Sequence, residues 1–131
     1  MLVIDASAIL ELLLRTTAAT EVEERILSAN GNLHAPHLLD IEVAHVLRRY
    51  CAAGEMTPHR VREAFVDLKK LTIVRYAHWP FIDRIWELRN NVTAYDAAYL
   101  VLAEFLSVPF LTCDGHLRSA PGHQANVEVV E

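Results

Sequence analysis

The chain has 131 residues, 53% of them apolar, with only four glycines and five prolines. That length suits one domain around a single core, and that composition excludes a disordered, repetitive or low-complexity chain. A net charge of −5 argues against a protein that grips nucleic acid through a broadly basic surface. The longest apolar stretches, such as Ala97 to Ala103, are too short to cross a bilayer, and Met1-Leu2-Val3-Ile4 meets Asp5 without a basic leader region. A cytoplasmic protein with no membrane association is therefore expected. The two cysteines, Cys51 and Cys113, are too far apart for a zinc knuckle and suit a reducing compartment. Of the seven histidines only His34 and His37 are close together, so the set reads as ordinary core or surface residues.

Leu2-Val3-Ile4 is a short unbroken apolar run, the pattern of a strand buried on both faces, and it ends at Asp5. Ser7 offers an N-cap for a helix through Leu14. An amphipathic stretch from Thr17 to Ala29 stops at Asn30-Gly31, a C-cap and turn signal. Leu33 to Ala35 reads as a strand, and after Pro36 the span Leu38 to Ala53 carries apolar residues at helical spacing before Gly54. Thr57-Pro58 starts the next helix, threonine as cap and proline at the first position, running to Lys70. Thr72 to Tyr76 is rich in β-formers. Pro80 to Arg89 and Ala94 to Ser107 read as helices, and Pro109 to Leu111 and Val127 to Val130 as strands. The order βααβααβααββ predicts an α/β domain over residues 1–131, with a mostly parallel sheet of about five strands and helices on both faces.

This topology gathers four scattered acids. Asp5 follows the first strand and Asp114 the fourth, both at carboxyl ends. Glu42 lies early in the helix leaving the second strand. The helix that feeds the fourth strand runs antiparallel to it, so its first turn, with Asp96, starts from the same edge. Open α/β sheets bind ligands outside the carboxyl ends of their strands. Four carboxylates there repel one another and raise one another's pKa values unless a cation compensates. Oxygen ligands without nearby histidine or cysteine favour Mg²⁺ or Mn²⁺, which suits phosphodiester hydrolysis by one metal or two. Setting the four acids aside leaves a net charge of −1, so most of the acidity belongs to the expected site.

Each acid also has a structural reading. Asp5 can cap the turn before Ser7, Asp96 can complete a capping box with Thr93, Asp114-Gly115 is a common turn pair, and Glu42 can be a solvated helix residue like Asp40. Only the shared edge favours the site, and Asp5 is the hardest to dismiss, since an acid closing a buried strand is costly without a partner. Ser7 and Thr112 stand two residues from site acids, where their hydroxyls can orient a water or phosphate. Arg48, Arg49 and Arg118 are candidate phosphate contacts, with a solvated charged face as the alternative. Trp79, Phe81 and Trp86 read as core packing first and a partner surface second.

Four sequence blocks now carry a family resemblance. Val3-Ile4-Asp5-Ala6-Ser7-Ala8, Pro36 followed by Glu42, Thr93-Ala94-Tyr95-Asp96-Ala97-Ala98-Tyr99, and Leu111-Thr112-Cys113-Asp114 resemble the blocks of PIN domains. Their order and spacing and the chain length are similar to those of VapC-type toxins. No block is specific alone, but four in order cover essentially the whole chain. The resemblance implies a PIN fold, an endoribonuclease using Mg²⁺ or Mn²⁺, homodimerisation, and neutralisation by a VapB-type antitoxin whose tail occupies the active site. It assigns Asp5, Glu42, Asp96 and Asp114 as metal-binding acids, with Thr112 and Ser7 supporting them. Some PIN proteins carry a further acid after the last block, where this chain has Gly115-His116-Leu117-Arg118, and that departure bears on a second metal.

Other readings compete. A haloacid-dehalogenase-type phosphatase also opens with a strand ending in aspartate, but its Asp-x-Asp pattern is broken here by Ser7. A receiver domain lacks its paired acids and late lysine in this chain. A metal-dependent phosphohydrolase on another phosphate substrate, or a catalytically silent PIN-like binding module, completes the alternatives.

Overall fold

The computed structural model describes residues 1–131. Leu2–Ile4 forms β1, every residue of it buried, as an unbroken apolar run requires when both faces of a strand are covered. Around it stand β2 (Leu33–Pro36), β3 (Ile73–Tyr76), β4 (Phe110–Thr112) and β5 (Val127–Val129). The order across the sheet is β3-β2-β1-β4-β5, and every pairing is parallel. Six helices intervene: α1 (Ala6–Leu13), α2 (Ala19–Ser28), α3 (Leu38–Ala52), α4 (Pro58–Lys70), α5 (Ile82–Glu87) and α6 (Ala94–Leu106). Helices α1 to α4 pack among themselves on one face, while α6 crosses β1, β2 and β4 with α5 against it. The final crossover, between β4 and β5, uses a short 3-10 helix, Gly115–Ser119, in place of an α-helix.

From β1 the chain steps outward to β2 and β3, then returns to lay β4 on the other side of β1 and continues to β5. The direction of strand order therefore reverses between β1 and β4. At such a point the crossovers diverge and leave a crevice at the carboxyl edge. Val3 stands opposite Phe110 and Ile4 opposite Leu111, so the residues that follow, Asp5 and Thr112 to Asp114, flank that crevice.

Local signals account for most element ends. Thr57 caps α4 by accepting the Arg60 N–H at 3.1 Å, with Pro58 in the first turn, as its sequence predicts. The α2 turn closes through Asn30 and Gly31, both at positive φ, where glycine is free of strain. The expected Ser7 cap is corrected: Asp5 is the N-cap of α1, its Oδ1 accepting the Ala8 N–H at 3.1 Å, and Ser7 is already helical. The predicted start of a helix at Pro80 resolves into a 3-10 turn, Trp79–Phe81, before α5.

Helix α6 is buried from Ala97 through Ala103 without a break. A helix apolar on all sides must be covered on all sides, and here the sheet covers one flank while Ile85 and Leu88 of the α5 region cover another. The expectation that Trp79 and Trp86 pack into the core fails: they are 74% and 66% exposed. Only Phe81 of that trio packs against the core, beside the cluster that includes Ile85, Leu88 and Val101. The Trp86 ring lies instead beneath the Arg89 guanidinium at 4.8 Å, a cation–π contact that a solvent-facing indole can make. Asp40, expected to be solvated, is held by a two-pronged bond from Arg75 of β3, at 2.6 and 2.8 Å.

Candidate active site

Asp5 is only 6% exposed, yet it ends a strand as an acid. Its Oδ1 accepts from Ser7 Oγ at 2.6 Å and from the Ala8 N–H, and its Oδ2 accepts from Thr112 Oγ1 at 2.5 Å. The two hydroxyls also receive bonds from the other strand end: Cys113 N–H donates to Ser7 Oγ at 2.9 Å, and Asp114 N–H to Thr112 Oγ1 at 3.0 Å. Ser7 and Thr112 thus clip the ends of β1 and β4 together around one carboxylate. Three hydrogen bonds favour the charged form, but burial outweighs them, and the nearby Asp96 charge adds to it, so the carboxyl is pushed up to about 6.

Glu42 projects from the second turn of α3. Its Oε1 accepts from the Tyr99 hydroxyl of α6 at 2.6 Å, which ties the two helical layers together across the sheet edge. Burial raises its pKa, with Asp96 contributing repulsion, while the Tyr99 bond opposes the rise. Asp96 lies in the first turn of α6, where Thr93 Oγ1 accepts its N–H at 3.1 Å. Its carboxyl is raised by burial and then by the charge of Asp114. Asp114 Oδ1 accepts the His116 N–H at 3.0 Å and so caps the 3-10 helix. Asp114 therefore serves cap and site at once, whereas at α6 the cap is Thr93, which takes the backbone N–H of Asp96 and leaves that residue's carboxyl to the cleft. Asp96 is the hub, since its charge acts on both Asp5 and Glu42.

All four acids line one cleft of about 380 Å³, together with Ser7 and Tyr99. Arg49 lies on its wall, as does Glu11 of α1. Arg48 is exposed away from that lining, and Arg118 is tied at 3.0 Å to Glu131. His116 is almost fully exposed, its Nδ1 3.1 Å from Asp114. Cys113 also faces the cleft, but burial and the surrounding acids push its thiol up to about 11, so it stays protonated and is a poor nucleophile. A cavity of about 740 Å³ opens at the opposite edge of the sheet, around Arg84, Glu104 and Pro109, away from all four acids.

Sequence reasoning missed Tyr99 as a working residue. It sits inside an apolar helix and reads as core, and it is indeed 1% exposed. The available signal is its hydroxyl: a buried tyrosine needs a partner for that group.

The donor set suits a hard divalent cation: carboxylates only, three of them lifted by burial and by one another, gathered on one cleft. The acids ring the cleft and do not converge on a point, for no three acidic, histidine or cysteine side chains stand close enough to hold an ion as they are.

A parallel α/β fold with an acid-ringed cleft at its switch point is the class that this geometry defines. A model of the PIN domain matches residues 2–122, and the chain belongs to that family. Over 129 residues it is 41% identical to Ribonuclease VapC1 of Mycobacterium tuberculosis, covering 98% of this chain and 96% of that one. Ribonuclease VapC12 of the same organism is 38% identical over 130 residues, 99% of each chain. Among solved structures, PAE2754 from Pyrobaculum aerophilum superposes with a TM-score of 0.73 over 98% of this chain and 83% of its own, at 19% identity, a likeness of fold.

Proposed function

We propose that this chain is an endoribonuclease that depends on Mg²⁺ or Mn²⁺ and acts as the toxin of a VapBC-type pair in the cytoplasm. The observation that carries the reading is Asp5: a buried carboxylate that takes its hydrogen bonds from neutral donors and faces a second acid. Such a group is unfavourable unless a cation joins it. The printed names of the full-length relatives, Ribonuclease VapC1 and VapC12, support RNA as the substrate.

Asp5, Asp96, Glu42 and Asp114 would hold the cation. When bound, it supplies activation of a water and stabilisation of charge on the phosphoryl oxygen. Ser7 and Thr112 fix both oxygens of Asp5, so its carboxylate meets the ligand without losing rotamer freedom at that moment. Tyr99 holds one oxygen of Glu42, Oε1, and so restricts that side chain as well. Because the acids ring the cleft, their side chains would have to turn inward to hold the cation, and a carboxyl still protonated would have to give up its proton to do so. The antitoxin and a second copy of the chain are the partners in this reading.

The test uses purified protein free of its inhibitor, a broad panel of structured and single-stranded RNAs, and Mg²⁺ or Mn²⁺ added to a chelated sample. Cleavage that appears with the cation and stops with chelator is expected. An intact panel in the presence of either ion sinks the enzyme reading. Co-expression with the product of the neighbouring open reading frame should relieve growth inhibition, and persistent toxicity overturns the paired role.

A further inference from the structure

The arginines of this chain divide by location. Arg25, Arg75, Arg84 and Arg118 each hold a carboxylate, on Glu128, Asp40, Glu104 and Glu131. Arg15, Arg48, Arg49, Arg62 and Arg89 are exposed and make no ion pair. Of these five, Arg15, Arg49 and Arg62 line the acid cleft or the groove at the far end of α1. Arg49 forms part of the acid cleft. Arg15 and Arg62 line a neighbouring groove of about 610 Å³ that also carries Arg60 and Lys70 against Glu63 and Asp67.

The cleft and the groove are two ends of one surface. Helix α1 gives Leu10 and Glu11 to the cleft, and Arg15 follows directly after its end. Arg60 Nη2 donates to the Leu13 carbonyl at 2.9 Å, which fastens α4 to that end of α1. Tyr50 lines the cleft, and its carbonyl accepts the Glu55 N–H that turns the chain into α4. From Glu42 to Arg49 is two turns of α3, about 10 Å of rise. A duplex strand covers that distance in about three phosphates.

We propose that Arg49, Arg15 and Arg62 form a phosphate track along which the RNA backbone runs from the acid cleft across the α1–α4 junction. The proposal rests on the ribonuclease reading above. It also eases the charge conflict: a chain with net charge −5 can still meet a polyanion through the few guanidinium groups that no carboxylate holds in an ion pair. Free guanidinium groups suit this role because their planar forks match phosphate oxygens.

The test compares wild type with a variant combining Arg15→Gln, Arg49→Gln and Arg62→Gln, all at exposed positions. Lys69→Gln serves as control, an exposed cation of the same helix α4 that lies outside the groove. For single-stranded RNA the triple variant should raise KM about tenfold at low salt with kcat unchanged, and flatten the slope of log(kcat/KM) against log salt by about 2. Lys69→Gln should match wild type. Wild-type KM and slope in the triple variant overturn the track, and so does an equal effect from Lys69→Gln. Unchanged RNA kinetics with lost antitoxin binding overturn it too, by making the surface a protein interface. Anisotropy of labelled RNA, read over the same salt series, tests the track even where cleavage fails, so the two readings fall separately.

Discussion

Asp5 and Glu104 are both carboxylates with little exposure, at opposite edges of one sheet, and their surroundings push them in opposite directions. Arg84 grips both oxygens of Glu104 and the Gln124 N–H adds a third bond, so Glu104 falls below the usual carboxylate range. Asp5 is raised to about 6 by burial, which its neutral donors do not offset, and the charge of Asp96 adds to the rise. The cavity beside Glu104 is the larger of the two. Size alone would choose the wrong edge. The paired edge closes on itself, whereas the unpaired edge has charge left over for a ligand.

The largest expected effect concerns activity. Asp5→Asn or Asp96→Asn removes ligand charge worth several kcal/mol in the transition state, which is roughly a thousandfold or more in rate. Glu104→Gln should leave kcat/KM within about twofold and cost about 2 kcal/mol of stability, because the charged hydrogen bonds from Arg84 are weakened. RNA cleavage assays and chemical denaturation of all three variants check this. Comparable activity loss in Glu104→Gln would erase the distinction between the edges.

Stability sharpens the contrast through pH. The folded carboxyl of Asp5 sits at about 6 against 3.8 for the unfolded chain, so the folded state holds the proton longer. Stability is then full below pH 4 for this group and is lost as pH rises to 6, by up to about 3 kcal/mol. Glu42 and Asp96 act in the same direction. Glu104, lowered in the fold, contributes stability that is present above its unfolded pKa and lost on acidification. Without divalent cation, Asp5→Asn should therefore be more stable than wild type at pH 7 although inactive, and Mg²⁺ should stabilise wild type more than the variant. Thermal melts across pH, with and without Mg²⁺, read both effects, and a less stable Asp5→Asn at pH 7 would contradict the account.

Smaller effects follow from the supporting groups. Tyr99→Phe keeps the packing and frees Glu42, so kcat should fall about tenfold with a near-normal fold, as for other partners that orient ligands. Smallest of all, Trp79→Ala should change stability by no more than about 0.5 kcal/mol, since the ring is solvent-facing. A large loss there would return the tryptophan to the core.

Much of this was legible in the sequence because it depends on local pattern. An apolar strand ending in Asp5, the Thr57-Pro58 and Thr93 caps, and the unbroken apolar run in α6 each follow from neighbouring residues. The strand order was not legible at that stage, but the carboxyl edge was, and with it the meeting of the four acids. What escaped depends on partners distant in the chain. Ser7 reads as a cap until Thr112 and Cys113 are brought beside it, and Asp40 reads as solvated until Arg75 arrives on the next strand. Tyr99 is hidden by the apolarity of its own helix. Trp79 and Trp86 mislead because aromatic bulk near a helix start usually packs inward, and nothing local reports that no layer covers them.

The clip made by Ser7 and Thr112 also governs when the site can exist during synthesis. Its two halves lie 105 residues apart in sequence, near the two ends of the chain. Strand β1 precedes its neighbours in the chain but lies between β2 and β4, so its central place stays half-empty until β4 is translated. At about 5 to 20 residues per second, the nascent chain passes several seconds without a formed carboxylate cluster. A chain stopped before Thr112 would therefore lack one half of the clip that holds Asp5.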